Sequence, residues 1–391
     1  MNAAHARLAD VVDSLDAAYD PRWADPWDAV GLVCGDPAQP VRRVLLAVDP
    51  VRAVADEAVE VGADLLVTHH PLLLQPVHGV AATTPKGAVV HRLIGAGVAL
   101  QVCHTNADSA TPGVSDALAM ALGLEDLQPL EPDPAPELDK IVTFVPHADA
   151  AALIDALAAA GAGSIGSYER CAWTTSGLGT FRPVEGAAPA VGTVGSVEEV
   201  GETRIEMVLP RPRRGAVVAA LRAAHPYEEP AYDVLQLAAV ASNRGTGRLG
   251  VLPRTLDLRA FAGQAADALP ATAGGLRVAG DPDQPVRTVA VCGGSGDALL
   301  DLVRSSGADV YVTSDLRHHR ASEFREYGDG GGPALVDVSH WAAEWTWLPP
   351  AAARLASDMT ARGTTVDTVV SRICTDPWRF AVTRPSEESR P

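Results

Sequence analysis

GDPAQPVR, residues 35–42, returns as GDPDQPVR at residues 280–287, and the agreement continues in register. Val41-Arg42 stands 21 positions before Gly62-Ala63-Asp64, and Val286-Arg287 stands 21 before Gly307-Ala308-Asp309. Val67-Thr68 matches Val312-Thr313 at the same offset of 245, so GADLLVT and GADVYVT hold equivalent places. Self-similarity is read before local signals, and this period is far too long for a solenoid. The two halves of the chain are expected to be copies of one unit.

Each copy alternates strands and helices. RVLLAVD (43–49), DLLVTHHP and ALQVCHTN read as buried strands, with helical apolar spacing in VRAVADEAVEVGA (51–63) and at HRLIGAGV. The second copy repeats the order with RTVAVCGG, DVYVTSD and PALVDVSH as strands, and with DALLDLVRSSGA and WAAEWTWLPPAAARLASDM as helices. Such alternation implies an α/β fold with parallel pairing and ligands at the carboxyl ends of the strands.

Other material lies between the copies. LEPDPAPELDK (130–140) is proline-rich and acidic, as linkers are, and the following stretch reads as a small βαβ-βαβ sandwich inserted into the host. The expected boundaries are core residues 1–130, an inserted domain at 141–237, core residues 245–380, and a disordered tail at 381–391. GTGRLG (245–250) matches GxGxxG but precedes Val-Leu-Pro where the dinucleotide fingerprint needs a helix, so a linker is expected there.

A formal net charge of −18 disfavours nucleic acid as a partner, and RPRR (211–214) is the one compact basic run. No uncharged apolar segment of ~18 residues offers a membrane span, and acidic residues interrupt the N-terminus where a signal peptide needs an apolar core. A cytoplasmic protein is expected. The cysteines at 34, 103, 171, 292 and 374 are odd in number and form no CxxC, which argues against a disulfide framework and a thiolate zinc site.

The sharpest chemical signal is His69-His70-Pro71 at the end of a predicted strand, where the turn lets both imidazoles reach one cleft. A pair of histidines beside a turn is the plainer reading. HTNAD (104–108) and SHWAAE (339–344) follow the corresponding strands of the two copies, and His340 and Glu344 share a helical face four residues apart. Imidazole and carboxylate without thiolate suit zinc, iron or manganese. Five ligands, His69, His70, Asp108, His340 and Glu344, serve two divalent ions if a carboxylate, taken as Asp108, bridges them.

The CGGSGD stretch (292–297) places Gly293, Gly294, Ser295 and Gly296 where backbone N–H groups can cradle phosphate, or simply where a strand turns into a helix. His318 and His319 are candidates for proton transfer or phosphate orientation, or a surface pair at a helix start. His104 is a candidate supporting partner of a metal ligand.

Taken together, WDAVGLVCGDP, VTHHP, HTNADSA, SDLRHH and DVSHWAAEW resemble the Nif-three-like family, whose members are described as dinuclear-metal hexameric proteins and labelled GTP cyclohydrolase I type II homologues. AGAGSIGSYERCAW, GLGTFRP and AHPYEEPAYDV are similar to the extra domain of the longer bacterial members, an α+β ferredoxin-like fold of the PII/CutA class. The resemblance implies the same five ligands, a homo-hexamer arranged as a trimer of dimers, and a small-molecule or nucleotide substrate. Ser314 stands where the family usually has glycine, and Trp341 and Ala342 make the last motif bulkier. Hydrolysis is the leading expectation, with GTP ring opening and formate release as its concrete form. Phosphoester hydrolysis and a non-enzymatic metal-binding or regulatory role, with the insert as a small-molecule sensor, are the alternatives.

Overall fold

The repeated phrase builds the same turn twice. Asp36 accepts a hydrogen bond from the Ala38 N–H, as Asp281 does from Asp283. Gln39 Nε2 donates to the Asp64 carbonyl at 3.1 Å, and Gln284 Nε2 to the Asp309 carbonyl at 3.3 Å. Asp64 Oδ2 takes the N–H groups of Arg42 and Arg43 at 2.7 and 3.1 Å, while Asp309 Oδ2 takes those of Arg287 and Thr288, both at 2.8 Å. The Asp, the Gln and the Asp of GAD recur because each closes backbone groups that the turn leaves unpaired.

The computed structural model describes residues 5–327 and 332–382, in two units. One runs to Asp133 and resumes at Asn243; the other is Pro134–Ser242. The expected tail lies outside the described residues from 383 onward.

In the first unit, a five-stranded sheet has the order Asp367–Val370, Arg43–Ala47, Leu65–Thr68, Ala99–Val102, Gly31–Cys34. The first four are parallel and the last is antiparallel. A six-stranded sheet has the order Arg277–Ala279, Ala334–Asp337, Val310–Ser314, Pro285–Ser295, Ala241–Asp257, Glu125–Pro134. Its second, third and fourth strands are parallel, and antiparallel strands flank them.

Both faces of these sheets are covered. Leu45, Leu66 and Leu100 pack under the helices Arg52–Glu60 and Pro85–Ala96, while Val44, Leu46 and Val67 pack under Leu8–Ala18 and Leu348–Ala361. Strands buried on both faces are apolar at most positions, which is why they read as nearly unbroken runs. In the second sheet, Val289, Val310 and Val336 meet Phe261 on one face, and Ala290, Tyr311 and Leu335 meet Leu300 and Phe324 on the other. The fold is mixed α/β.

The second unit runs strand Leu138–Pro146, helix Ala150–Ala159, strands Trp173–Phe181 and Glu198–Pro210, helix Arg214–Ala224 and strand Tyr232–Gln236. Its sheet is antiparallel throughout, in the order Tyr232–Gln236, Leu138–Pro146, Glu198–Pro210, Trp173–Phe181. Leu153, Leu157, Val217 and Leu221 of the helices bury one face against Ile141 and Ile205.

Several local expectations are corrected. GTGRLG is no linker but part of the strand Ala241–Asp257. Gly245 and Gly247 are required by close backbone approach, since a Cβ would lie 2.1 Å from the Glu131 carbonyl oxygen and 2.8 Å from that of Val291. Most of LEPDPAPELDK is likewise extended, split between Glu125–Pro134 and Leu138–Pro146. The helix expected after DVSH is two, His340–Trp345 and Leu348–Ala361, because prolines at 349 and 350 fit only a helix's first turn. Among the described residues, no helix is long and apolar enough to cross a membrane.

Candidate metal centre

The histidines gather where parallel strands end. Past Thr68 the chain keeps its pairing, with the His69 N–H donating to Ala47 and the His70 N–H to Val48. The Thr68 hydroxyl donates to the His70 carbonyl at 2.9 Å, which bends the chain at Pro71. His104 follows the strand Ala99–Val102 and precedes the short helix Thr105–Ser109, which carries Asp108. Asn106 sets that turn by accepting the His104 N–H at 2.8 Å and donating to the Tyr19 carbonyl at 2.6 Å. Ser339 caps the helix His340–Trp345, which aligns His340 and Glu344 along one side.

Each imidazole is held by its Nδ1. His69 donates to the Cys103 carbonyl at 2.9 Å, His70 to Asp49 at 2.7 Å, His104 to Asp28 at 2.9 Å and His340 to Asp315 at 2.6 Å. All four partners are acceptors only, so Nδ1 carries the proton and Nε2 is turned the other way. Asp315 adopts φ +57° to make its contact, a left-handed conformation that few residues other than glycine use. The Asp49 carboxylate is steadied in turn by the Thr375 hydroxyl.

Two groups result that could hold a metal ion: His69, His70 and His104, and His70, His340 and Glu344. Glu344 is central. Its Oε1 lies 2.8 Å from His340 Nε2 and 3.4 Å from His69 Nε2, and its Oε2 lies 3.1 Å from His70 Nε2. Asp108 Oδ1 approaches His69 Nε2 at 3.8 Å.

The donor set fits a cation on two counts. His69 Nε2, Asp108 Oδ1 and Glu344 Oε2 are buried without a hydrogen-bond partner, and each such orphan costs about 1–3 kcal/mol unless a ligand meets it. The field also draws positive charge. Burial opposes protonation of His70, yet Glu344 and then Asp49 raise its pKa to about 11. For His340 the same opposition is outweighed by Glu344 and then Asp315, to about 9. His69 is raised despite burial, by Glu344 and Asp108. Burial would lift Glu344, but His69 and His70 hold it well below the usual carboxylate range. Asp108 is lifted by burial, which His69 only partly offsets. Imidazole and carboxylate donors of this kind suit zinc, iron or manganese.

The structure thus brings His69, His70, Asp108, His340 and Glu344 together and adds His104 directly to them. Asp28, Asp49 and Asp315 were not singled out from sequence as orienting groups. The position of Asp49 at the carboxyl end of RVLLAVD was the available signal.

The glycine loop follows the second of its two expected readings, a strand passing into a helix. The strand Pro285–Ser295 runs through it, followed by a 3-10 turn, Asp297–Leu299, and a six-residue helix. The Gly293 N–H is already donated to Ser115, and a Cβ on Gly296 would lie 2.0 Å from the Tyr311 hydroxyl. Gly294, at φ +67°, adjoins the centre, where a Cβ would lie 2.5 Å from Glu344 Oε1 and 3.2 Å from His340 Nε2. Gly294→Ala is therefore expected to lower metal content while circular dichroism stays native. Full occupancy of the variant would show that the loop does not shape the centre. His318 and His319 open the helix His318–Glu326 as an exposed, mutually packed pair 5.1 Å apart.

A cleft of about 570 Å³ opens at His70 and His340, and neither His318 nor His319 lines it. Trp341, Trp378 and Phe380 form apolar walls, and Asp49, Asp315, Asp337 and Asp376 also face it. Arg277, the one Lys or Arg among the described lining residues, is paired with Asp337.

Residues 6–377 match the profile of the Duf34/NIF3 family, NGG1p interacting factor 3. The chain belongs to this family. It is 52% identical over 375 residues to a Mycobacterium tuberculosis protein named GTP cyclohydrolase 1 type 2 homolog, covering 96% of this chain and 97% of the relative. A Bacillus subtilis protein of the same name is 35% identical, over 90% of this chain and 93% of its own. Among solved structures, a Bacillus cereus protein related to NIF3 superposes with a TM-score of 0.77 at 35% identity, covering 97% of this chain and all of the other. A Staphylococcus aureus protein gives 0.83 at 26% identity, over 96% and 99%.

Proposed function

We propose that this family member is a hydrolase working with two divalent cations, zinc, iron or manganese, held by His69, His70, His104, Asp108, His340 and Glu344. The observation carrying this reading is that four imidazoles are locked by Nδ1, three of them onto carboxylates, so that His69, His70 and His340 present Nε2 as a donor beside Glu344 while His104 groups with His69 and His70. Partners of this kind fix ring orientation and raise ligand basicity. Bound there, the cations would supply Lewis acidity to a carbonyl-like or phosphoryl centre. Asp49 and Asp315 keep His70 and His340 facing the cleft, and the walls of Trp378 and Phe380 suit a planar ring. We read the two α/β halves as a duplicated core, the Pro134–Ser242 unit as a ferredoxin-like PII/CutA-type insert, and the assembly as a homo-hexamer.

Ring opening of a guanine nucleotide with release of formate is the concrete reaction to test, in keeping with the relatives' printed names. Beyond the proposed cations, the cleft's side chains provide four carboxylates against one paired guanidinium, so they offer a triphosphate no cationic cradle. Guanosine should then be turned over within about tenfold of GTP, as the phosphates add little binding. The assay follows formate and phosphate together on metal-restored protein. Metal-dependent formate, absent in His69→Ala, is the expected result. Phosphate without formate would move the reading to a phosphoester hydrolase. Neither product, across zinc, iron and manganese, would leave a metal-binding adaptor.

A further inference from the structure

Two motifs of the inserted unit have no part in the metal centre. GLGTFRP (177–183) and HPYEEP (225–230) meet around one cavity of about 600 Å³. Three rings wall it, Phe144, Phe181 and Tyr227, the last two with centroids 6.0 Å apart. His225 is buried and fixes the second motif: its Nε2–H donates to the Phe144 carbonyl at 2.9 Å, and its Nδ1 accepts the Tyr227 N–H at 3.1 Å. Tyr227 is thereby aimed at Glu202, donating its hydroxyl to Oε1 at 2.9 Å. Glu228 accepts the Ala188 N–H at 3.0 Å, which ties the loop beyond Phe181 to the same motif.

Glu202 is the unusual member. It is 9% exposed, and its Oε2 has no hydrogen-bond partner among the described residues. Gly179 makes room for it, because a Cβ there would lie 2.1 Å from Oε2. A buried carboxylate satisfied at one oxygen calls for a positive partner. Arg204 does not serve, since it pairs with Glu206 at 2.9 Å and lies 5.7 Å over the Phe144 ring. Aromatic walls and a buried carboxylate together form a receptor for a cation with an apolar body.

We propose that this cavity binds an organic ammonium ion, its apolar body among the rings of Phe144, Phe181 and Tyr227 and its N–H groups on Glu202 Oε2. The test titrates full-length, metal-loaded protein with phenethylamine, tryptamine and cyclohexylmethylamine, each beside the alcohol of the same skeleton, with phenylacetate as the anionic control. Binding is read by calorimetry and saturation-transfer NMR. At least one amine should bind about tenfold or more tightly than its alcohol, because a charge-assisted hydrogen bond is the difference between them. Glu202→Gln, which keeps the shape and the Tyr227 contact, should abolish that preference while metal content and melting temperature stay native. Phe181→Ala should weaken amine and alcohol alike. Equal binding of amines and alcohols, tighter binding of phenylacetate, no binding of any amine, or a preference surviving in Glu202→Gln would each overturn the assignment.

Discussion

Glu344→Gln should empty both metal positions in one step, with affinity falling by about 100-fold or more, the upper end of what losing a mere supporting partner costs. The neutral amide keeps the shape but removes the charge that Glu344 sets against three imidazoles at 2.8, 3.1 and 3.4 Å. Asp108→Ala is the comparison. From the sequence Asp108 is expected to be the shared carboxylate, whereas in the structure it approaches His69 alone of the three. The Asp108 variant should therefore retain about one ion of two, held by His70, His340 and Glu344. Elemental analysis of both proteins after dialysis decides between the carboxylates. A full complement in Glu344→Gln, or an empty Asp108→Ala, would return the bridging role to Asp108.

Arg248→Met should destabilise the first unit by about 3–5 kcal/mol, the range for removing one partner of a buried ion pair. Arg248 is 1% exposed and its guanidinium is fully engaged. Nε and Nη2 grip Asp116 at 2.8 and 2.7 Å, Nη1 donates to the Gly245 and Gly247 carbonyls, both at 2.7 Å, and Nη2 reaches the Ala110 carbonyl at 2.5 Å. Methionine fills similar volume but leaves Asp116 charged and buried, and three carbonyls lose a donor. Lysine should not rescue, since a point charge cannot make the bidentate contact. Urea unfolding followed by tryptophan fluorescence is the measurement, because six of the seven tryptophans lie in this unit and Trp173 alone lies in the other. A loss under about 1 kcal/mol would mean that the pair is no more than a surface contact in its effect.

Arg248 also shows why part of the fold was illegible. Read as GTGRLG, the stretch carries three glycines and no apolar alternation, the marks of a loop. Gly245 and Gly247 answer to the backbones of Glu131 and Val291, and its arginine to an aspartate 132 positions away, so tertiary contacts outweigh local preference. The residues of the candidate centre were legible for the opposite reason. His69 and His70 stand at a strand's end before a proline, and His340 and Glu344 at helical spacing after another strand, so local geometry alone placed each pair beyond the carboxyl end of a parallel strand.

The sequence by itself determined the repeated turn, the parallel strands and the donor types at their ends. Each rests on interactions within a short span or on burial of both faces of a strand, which writes a nearly unbroken apolar run. Only the tertiary structure decided which nitrogen each imidazole offers and which carboxylate stands at the centre. Those choices are made by Asp28 on His104 across 76 positions, by Asp49 on His70 across 21, by Asp315 on His340 across 25, and by His340 meeting His70 across 270. No periodicity encodes such meetings. They depend on how the two sheets and their loops lie against one another, and a hydrogen bond's direction is set only once both partners are in place.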